Sequence, residues 1–291
     1  MQRTVRTHIT IFGALLTGAL FATPSLAADD PGIYVRQTIG LAGWPTGAIS
    51  DTRVQMRTPL TRQEGSLVFN STYAGAGVAA RVSPAVAEVG PSLSIQPIDV
   101  FDLNLQASRV QYYSTRFGLM PFESPDGKIM SARLERAAEG DGVTSGGWTF
   151  AANPTVKLKL GPVIAFSSWT VAYTTLDQPE DVTAPYTYEP LRDMVVAWTD
   201  TTVDHEAGAL YAAVDSDDGG KIVYFGVLAR DRFQVVSPDR HTTLGPLLVV
   251  KPGEGTGVPR RVARSMFYLT EADRVGRMPN IQLAAIWEVG K

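Results

Sequence analysis

Apolar and polar residues alternate with a period of two along most of the chain, and helical periodicity is nearly absent after residue 28. The clearest run is Phe101-Asp102-Leu103-Asn104-Leu105-Gln106-Ala107-Ser108, in which odd positions are apolar and even ones polar. Pro154 to Leu160 sets Val156, Leu158 and Leu160 on one face and Lys157 and Lys159 on the other. Arg53, Gln55 and Arg57 oppose Val54 and Met56, and Val89, Leu93 and Ile95 oppose Gly90, Ser92, Ser94 and Gln96. Val163 to Tyr173 and Ile281 to Val289 repeat the pattern more loosely. The best helical candidate, Ser131 to Glu139, is short and runs into a Gly-rich stretch. Turn signals separate the runs, among them Pro97-Ile98-Asp99, Gly161-Pro162, Asp215 to Gly220, Ser237-Pro238-Asp239 and Pro252 to Gly257.

Strand length divides the two all-β architectures. Strands of a soluble sandwich average about 5–6 residues, whereas a tilted strand crossing a bilayer needs ~9–11. Phe101–Tyr113, Gly147–Leu160 and Lys221–Gln234 have the longer measure. With weaker runs at 32–42 and 127–136 there are about fourteen candidate strands, and because single-chain barrels have even counts the expectation is about twelve, within ten to fourteen. No composition break or fixed-period repeat divides residues 28–291, which read as one antiparallel transmembrane β-barrel domain. In such a barrel the mid-strand polar residues must face the lumen, since Arg or Lys facing lipid at mid-depth costs roughly 2–4 kcal/mol. The lumen-lining candidates are therefore Arg53, Gln55, Arg57, Asp102, Asn104, Gln106, Lys157 and Lys159. Aromatics near strand ends, Tyr112-Tyr113, Trp148, Tyr186, Tyr188 and Trp287, fit interfacial girdles. Polar stretches at 114–147 and 177–189 read as long loops.

Composition then makes sense. The 291 residues are 44% hydrophobic and 19% charged. Mean hydropathy is +0.00, yet no segment after residue 27 has the roughly 18 unbroken apolar residues of a spanning helix. Alternation explains this, because both kinds of residue share each strand. The net charge of −3 and the dispersed basic residues give no nucleic-acid footprint, and the absence of Cys excludes disulfides, thiol catalysis and Cys-ligated metals. Residues 1–27 have the layout of a cleaved secretory signal: Arg3 and Arg6, an apolar run Ile9–Ala22, then Ser25-Leu26-Ala27.

On this alternation and export signal the chain resembles the Gram-negative outer-membrane β-barrel proteins as an architectural class. The resemblance implies a place in the outer membrane, in contact with its lipids. It departs from the class at the C-terminus, where such barrels usually end on an aromatic residue; here Trp287 is followed by Glu288-Val289-Gly290-Lys291.

Chemistry-bearing motifs are weak. After the signal only His205 and His241 remain, both within polar triplets that read as connections. Ser237 lies near His241, but there is no Gly-x-Ser-x-Gly. Asp215-x-Asp217 and Asp239-x-His241 are similar to fragments of the omptin-type protease site, though much closer together along the chain. Asp215 to Gly220 echoes the start of a calcium loop, but the twelfth position is Gly226 where an EF-hand needs Glu. No His-Glu-x-x-His, phosphate loop or dinucleotide fingerprint occurs, so no metal, cofactor or enzymatic activity is expected. The expected function is a passive channel for small polar solutes, or a structural or surface barrel. The alternative is a soluble periplasmic β-sandwich that binds or hydrolyses a ligand.

Overall fold

In Val86–Ile98 the alternation is realised with its faces inverted relative to a soluble protein. Val89 and Leu93 are more than half exposed on the outside, while Ser92, Ser94 and Gln96 are buried inside. The same inversion holds for Arg53–Arg57 and for Ile281–Trp287, where Ile281 and Leu283 are exposed and Gln282 is buried. Side chains on successive strand residues point to opposite faces, so this sorting fixes the register of every strand.

The computed structural model describes residues 31–43, 46–61, 72–114, 118–125, 142–190, 192–214, 222–252, 259–269 and 280–290. In chain order the strands are β1 (Gly32–Gly43), β2 (Thr46–Pro59), β3 (Tyr73–Val82), β4 (Val86–Ile98), β5 (Phe101–Tyr112), β6 (Met120–Phe122), β7 (Ser145–Leu160), β8 (Val163–Leu176), β9 (Tyr186–Glu189), β10 (Met194–Ala197), β11 (Thr199–Val214), β12 (Ile222–Gln234), β13 (Arg240–Lys251), β14 (Arg260–Tyr268) and β15 (Asn280–Gly290). Twelve of them close a barrel in the order β1-β15-β14-β13-β12-β11-β8-β7-β5-β4-β3-β2, with every pair antiparallel. Pairing of β1 with β15, from Tyr34↔Gly290 to Ala42↔Gln282, leaves no free edge. Closure with an apolar outer wall is the only β solution that satisfies backbone groups in lipid. It also sets the sandwich alternative aside.

The stretch at 32–42 is thus a full strand, while the candidates at 127–136 and Ser131–Glu139 lie outside the described residues. Tight connections need special backbone: Gly161, at φ 58°, carries the turn between β7 and β8. Since β1 begins and β15 finishes at one rim, the odd and even connections sort into two ends. The described parts of the connections after β5 and after β8 both sit at the opposite rim. They supply β6, β9 and β10, which pair as a separate three-stranded sheet in the order β10-β9-β6. Of these, β6 and β9 correct the expectation of plain loops at 114–147 and 177–189, and β10 lies just beyond the second.

Inside the barrel, near the rim where β11 finishes, Leu210, Leu228, Leu247, Val249, Val262 and Ile286 pack together on the β11–β15 side. The small sheet has its own apolar cluster of Met120, Phe122, Tyr188 and Val195.

Candidate lumen and its mouth

The inner wall is built by hydrogen bonds that jump over intervening strands, as converging side chains on a concave surface must. Arg53 Nη1 on β2 donates to Asn104 Oδ1 on β5 at 2.6 Å, across β3 and β4. The Tyr73 hydroxyl donates to Asp102 Oδ2 at 3.2 Å, and Asn104 Nδ2 donates to the other oxygen of Asp102. Gln55 accepts from Ser94 Oγ at 3.0 Å and donates to Ser92 Oγ at 3.3 Å. Arg57 lies over the rings of Tyr34 and Tyr73, 4.9 and 4.4 Å from their centroids. Gln106 donates to Ser108 Oγ at 2.7 Å. Lys157 sits within electrostatic range of Asp102, whereas Lys159 lies one residue from the end of β7 and is exposed.

This wall carries more cations than anions. Arg36 and Arg53 are cross-strand neighbours, and Glu288 bridges Arg36 at 3.7 Å and Arg260 at 3.1 Å. Around the arc the carboxylates are Glu288 and Asp102, with Asp51 beside Arg53 and Asp99 beside Lys157, against Arg36, Arg53, Arg57, Lys157 and Arg260; Asp51 is itself bridged by Arg81 at 3.0 Å. Several of the cationic donors are buried with no hydrogen-bond partner: Arg53 Nε, Arg57 Nε, Lys157 Nζ, and Arg260 Nε and Nη1. A void of about 20 Å³ between Arg36, Arg53, Gln55 and Arg57 has room for one water.

A second interior cluster, on β11, β12, β14 and β15, is more closely paired with carboxylates, Arg264 Nη2 being its one unmet donor among the described residues. Asp204 accepts from Arg230 Nε at 2.8 Å and from Arg232 Nε and Nη2 at 3.0 and 2.6 Å. Glu206 holds Arg230 Nε at 3.2 Å and Arg264 Nη1 at 2.9 Å, and Arg264 Nε donates to Gln282 at 2.7 Å. Alternation along β11 and β12 put these residues on the inner face, but Asp204-His205-Glu206 reads locally as a polar connection.

The small sheet stands in the mouth above this cluster. Glu189, fully buried, accepts from the Tyr112 hydroxyl on β5 and from Arg192 Nη1 at 3.0 Å. Arg192 Nη2 reaches Thr174 Oγ1 on β8 at 2.8 Å, and its carbonyl accepts from Arg232 Nη1. Asp193, in left-handed backbone at φ 55°, accepts from Tyr188 Oη at 2.5 Å and from Tyr268 Oη on β14 at 3.2 Å. Gln234 donates to Met194 Sδ at 3.3 Å, and Asp239 Oδ2 accepts from Val195 N at 2.8 Å. Met194, Val195, Thr187 and Glu189 are all fully buried. The sheet therefore occupies part of the barrel's cross-section at this rim, tied to β5, β8, β12, β14 and the turn after β12.

Several expectations need correction. His205 and His241 sit on strands, not connections. His241 faces inward and meets Asp239 Oδ1 at 2.9 Å. His205 faces outward, stacked on Trp169 at 4.0 Å and bonded to Ser167 Oγ at 2.9 Å. Ser237 is spent elsewhere, its hydroxyl donating to Asp200 Oδ2 at 2.6 Å with the Val195 carbonyl 3.1 Å away as the alternative acceptor. Of the aromatics assigned to girdles, Trp148 and Tyr113 face out, but Tyr112 is fully buried in the interior and Tyr186 and Tyr188 belong to the mouth sheet. The reason is parity: adjacent residues such as Tyr112 and Tyr113 point to opposite faces. Residues 215–221, with Asp215 and Asp217, lie outside the described residues, and among those described no group of three or more His, Asp or Glu is arranged to hold a metal.

No protein-family model matches the chain, and no curated protein matches it. Among solved structures it is similar to the beta domain of the Bordetella autotransporter Brka, at 14% identity and TM-score 0.47, covering 89% of this chain and 99% of that one. It is also similar to the NanC porin, at 8% identity, TM-score 0.40 and coverage of 88% and 99%. The translocator domain of the autotransporter NalP from Neisseria meningitidis is similar at 12% identity, TM-score 0.37 and coverage of 89% and 88%.

Proposed function

We propose that the protein is an exported outer-membrane barrel, with residues 1–27 removed as a signal, that passes small polar solutes through a lumen narrowed at one mouth by the β6-β9-β10 sheet. The observation that carries this is the inversion of the wall: apolar residues such as Leu93, Val227 and Leu283 face outward, and outside the apolar cluster of β11–β15 polar and charged ones line much of the interior. An apolar outer belt fits lipid, and a polar lumen fits water and polar solutes. The longer connections gather at the mouth-sheet rim, which by that asymmetry is the extracellular side. Purified protein inserted in planar bilayers is expected to give discrete conductance steps. Silent bilayers holding demonstrably inserted, heat-modifiable barrel would rule transport out and leave a structural barrel.

A further inference from the structure

We infer that the arc of cations on β14, β1, β2 and β7 is a binding station for small oxyanions, with dianions held more tightly than monoanions. The inference rests on the channel reading, which it extends to a substrate class. A buried donor left unmet on a cation is costly, and here the cost recurs at Arg53 Nε, Arg57 Nε, Lys157 Nζ, and Arg260 Nε and Nη1. Asp102 is within electrostatic range of Arg53, Arg57 and Lys157 at once, and Asp51, the other carboxylate beside Arg53, is already bridged by Arg81 at 3.0 Å. Glu288 is likewise divided between Arg36 and Arg260. The arc keeps a surplus of positive charge that the protein does not supply with acceptors. Water satisfies donors but not charge. A carboxylate or phosphate does both, and guanidinium forks match their planar pairs of oxygens.

The placement adds to this. The Nε of Arg53 and of Arg57 are free while neighbouring atoms hold each side chain, through Asn104 for the first and the Tyr34 and Tyr73 rings for the second. Both guanidiniums are thus oriented before any ligand arrives, which lowers the ordering cost of binding. Low-dielectric walls focus the field of such a cluster and raise the local concentration of anions.

The test uses full-length protein in planar bilayers under a potassium chloride gradient, with succinate as the dianion and acetate as the monoanion. The zero-current potential should report anion over cation preference of about threefold or more. Millimolar succinate should reduce the chloride current more than equimolar acetate does. The Arg53→Gln/Arg57→Gln/Lys157→Gln variant should lose both effects, with Lys157→Gln alone giving an intermediate loss if the triple variant fails to insert. Arg109→Gln, on the outer wall, should change neither. Current that is unselective or cation-selective and unaffected by succinate overturns the station while leaving the channel standing. Silent bilayers remove the channel, and calorimetry of succinate binding to the detergent-solubilised protein then decides: binding abolished by the triple variant upholds the station, and no binding overturns it.

Discussion

Two clusters of basic residues share one lumen and are built on opposite terms. On β11, β12, β14 and β15, Arg230, Arg232 and Arg264 are locked by Asp204, Glu206 and Gln282 through bonds of 2.6 to 3.2 Å. On β2 and β7, Arg53, Arg57 and Lys157 share Asp102 within electrostatic range and each leaves a donor unmet, where the first cluster leaves only Arg264 Nη2. The first cluster is the more deeply buried, Arg232 and Arg264 being buried where Arg53, Arg57 and Lys157 are half-buried, and it is also the better supplied with carboxylates. The first cluster is architecture: it stacks between the apolar residues around Leu228 and Leu247 and the mouth sheet, which it touches through Arg232 and the Arg192 carbonyl. The second holds charge in reserve for something that comes and goes. Strong pairing rigidifies a wall, whereas incomplete pairing is what a binding surface needs.

The largest expected effect breaks the paired cluster. Asp204→Asn leaves Arg230 and Arg232 buried around a neutral amide, and losing one member of a buried pair costs about 3–5 kcal/mol. Urea unfolding in detergent should show the loss, and the gel band of the folded barrel should give way to the unfolded one at lower temperature. Stability within error of the parent would mean that the cluster is hydrated and not structural.

A smaller effect is expected from freeing the mouth. Glu189→Gln weakens the bond to Arg192, whose carbonyl also accepts from Arg232, but replaces no residue of either wall cluster; a hydrogen bond to a charged group contributes about 1.5–3 kcal/mol. The barrel should stay folded with a modest loss of stability, and single-channel conductance should rise as the sheet loosens. Unchanged conductance would show that the narrowest point lies elsewhere, which would shift attention to the cationic arc itself.

The sequence pattern carried the barrel and the facing of most wall residues because a period of two reports face directly. It carried nothing about who meets whom across the interior. Arg53 and Asn104 are 51 residues apart on strands that do not pair, so their bond depends on strand number and tilt as well as on alternation. The mouth sheet was hidden for another reason. Met120–Phe122, Tyr186–Glu189 and Met194–Ala197 are too short for periodicity to register, and all are covered by the barrel, so polar Thr187 and Glu189 are buried beside Tyr188. Asp204-His205-Glu206 misled through its uniform polarity. Its outer member, His205, escapes bare lipid by stacking on Trp169 and bonding Ser167, and single-residue hydropathy carries no trace of that.

The smallest expected effect is the sharpest test of the contrast between the clusters. Lys157 is partly buried, its ammonium has no hydrogen-bond partner, and Asp102, its leading electrostatic neighbour, also answers to Arg53 and Arg57. Lys157→Gln removes the charge while keeping a polar, flexible side chain. If the arc is under-neutralised, the loss of attraction to Asp102 is offset by the relief of a buried unpaired cation, and stability should move by less than about 1 kcal/mol in either direction. Arg230→Gln in the paired cluster removes the same charge and should cost several times more, because it strips Asp204 and Glu206 of a shared partner. The two variants, unfolded side by side in urea, should therefore separate clearly. Equal costs would mean that Lys157 is held as firmly as Arg230, and the distinction between a structural cluster and a receptive one would fall with that result.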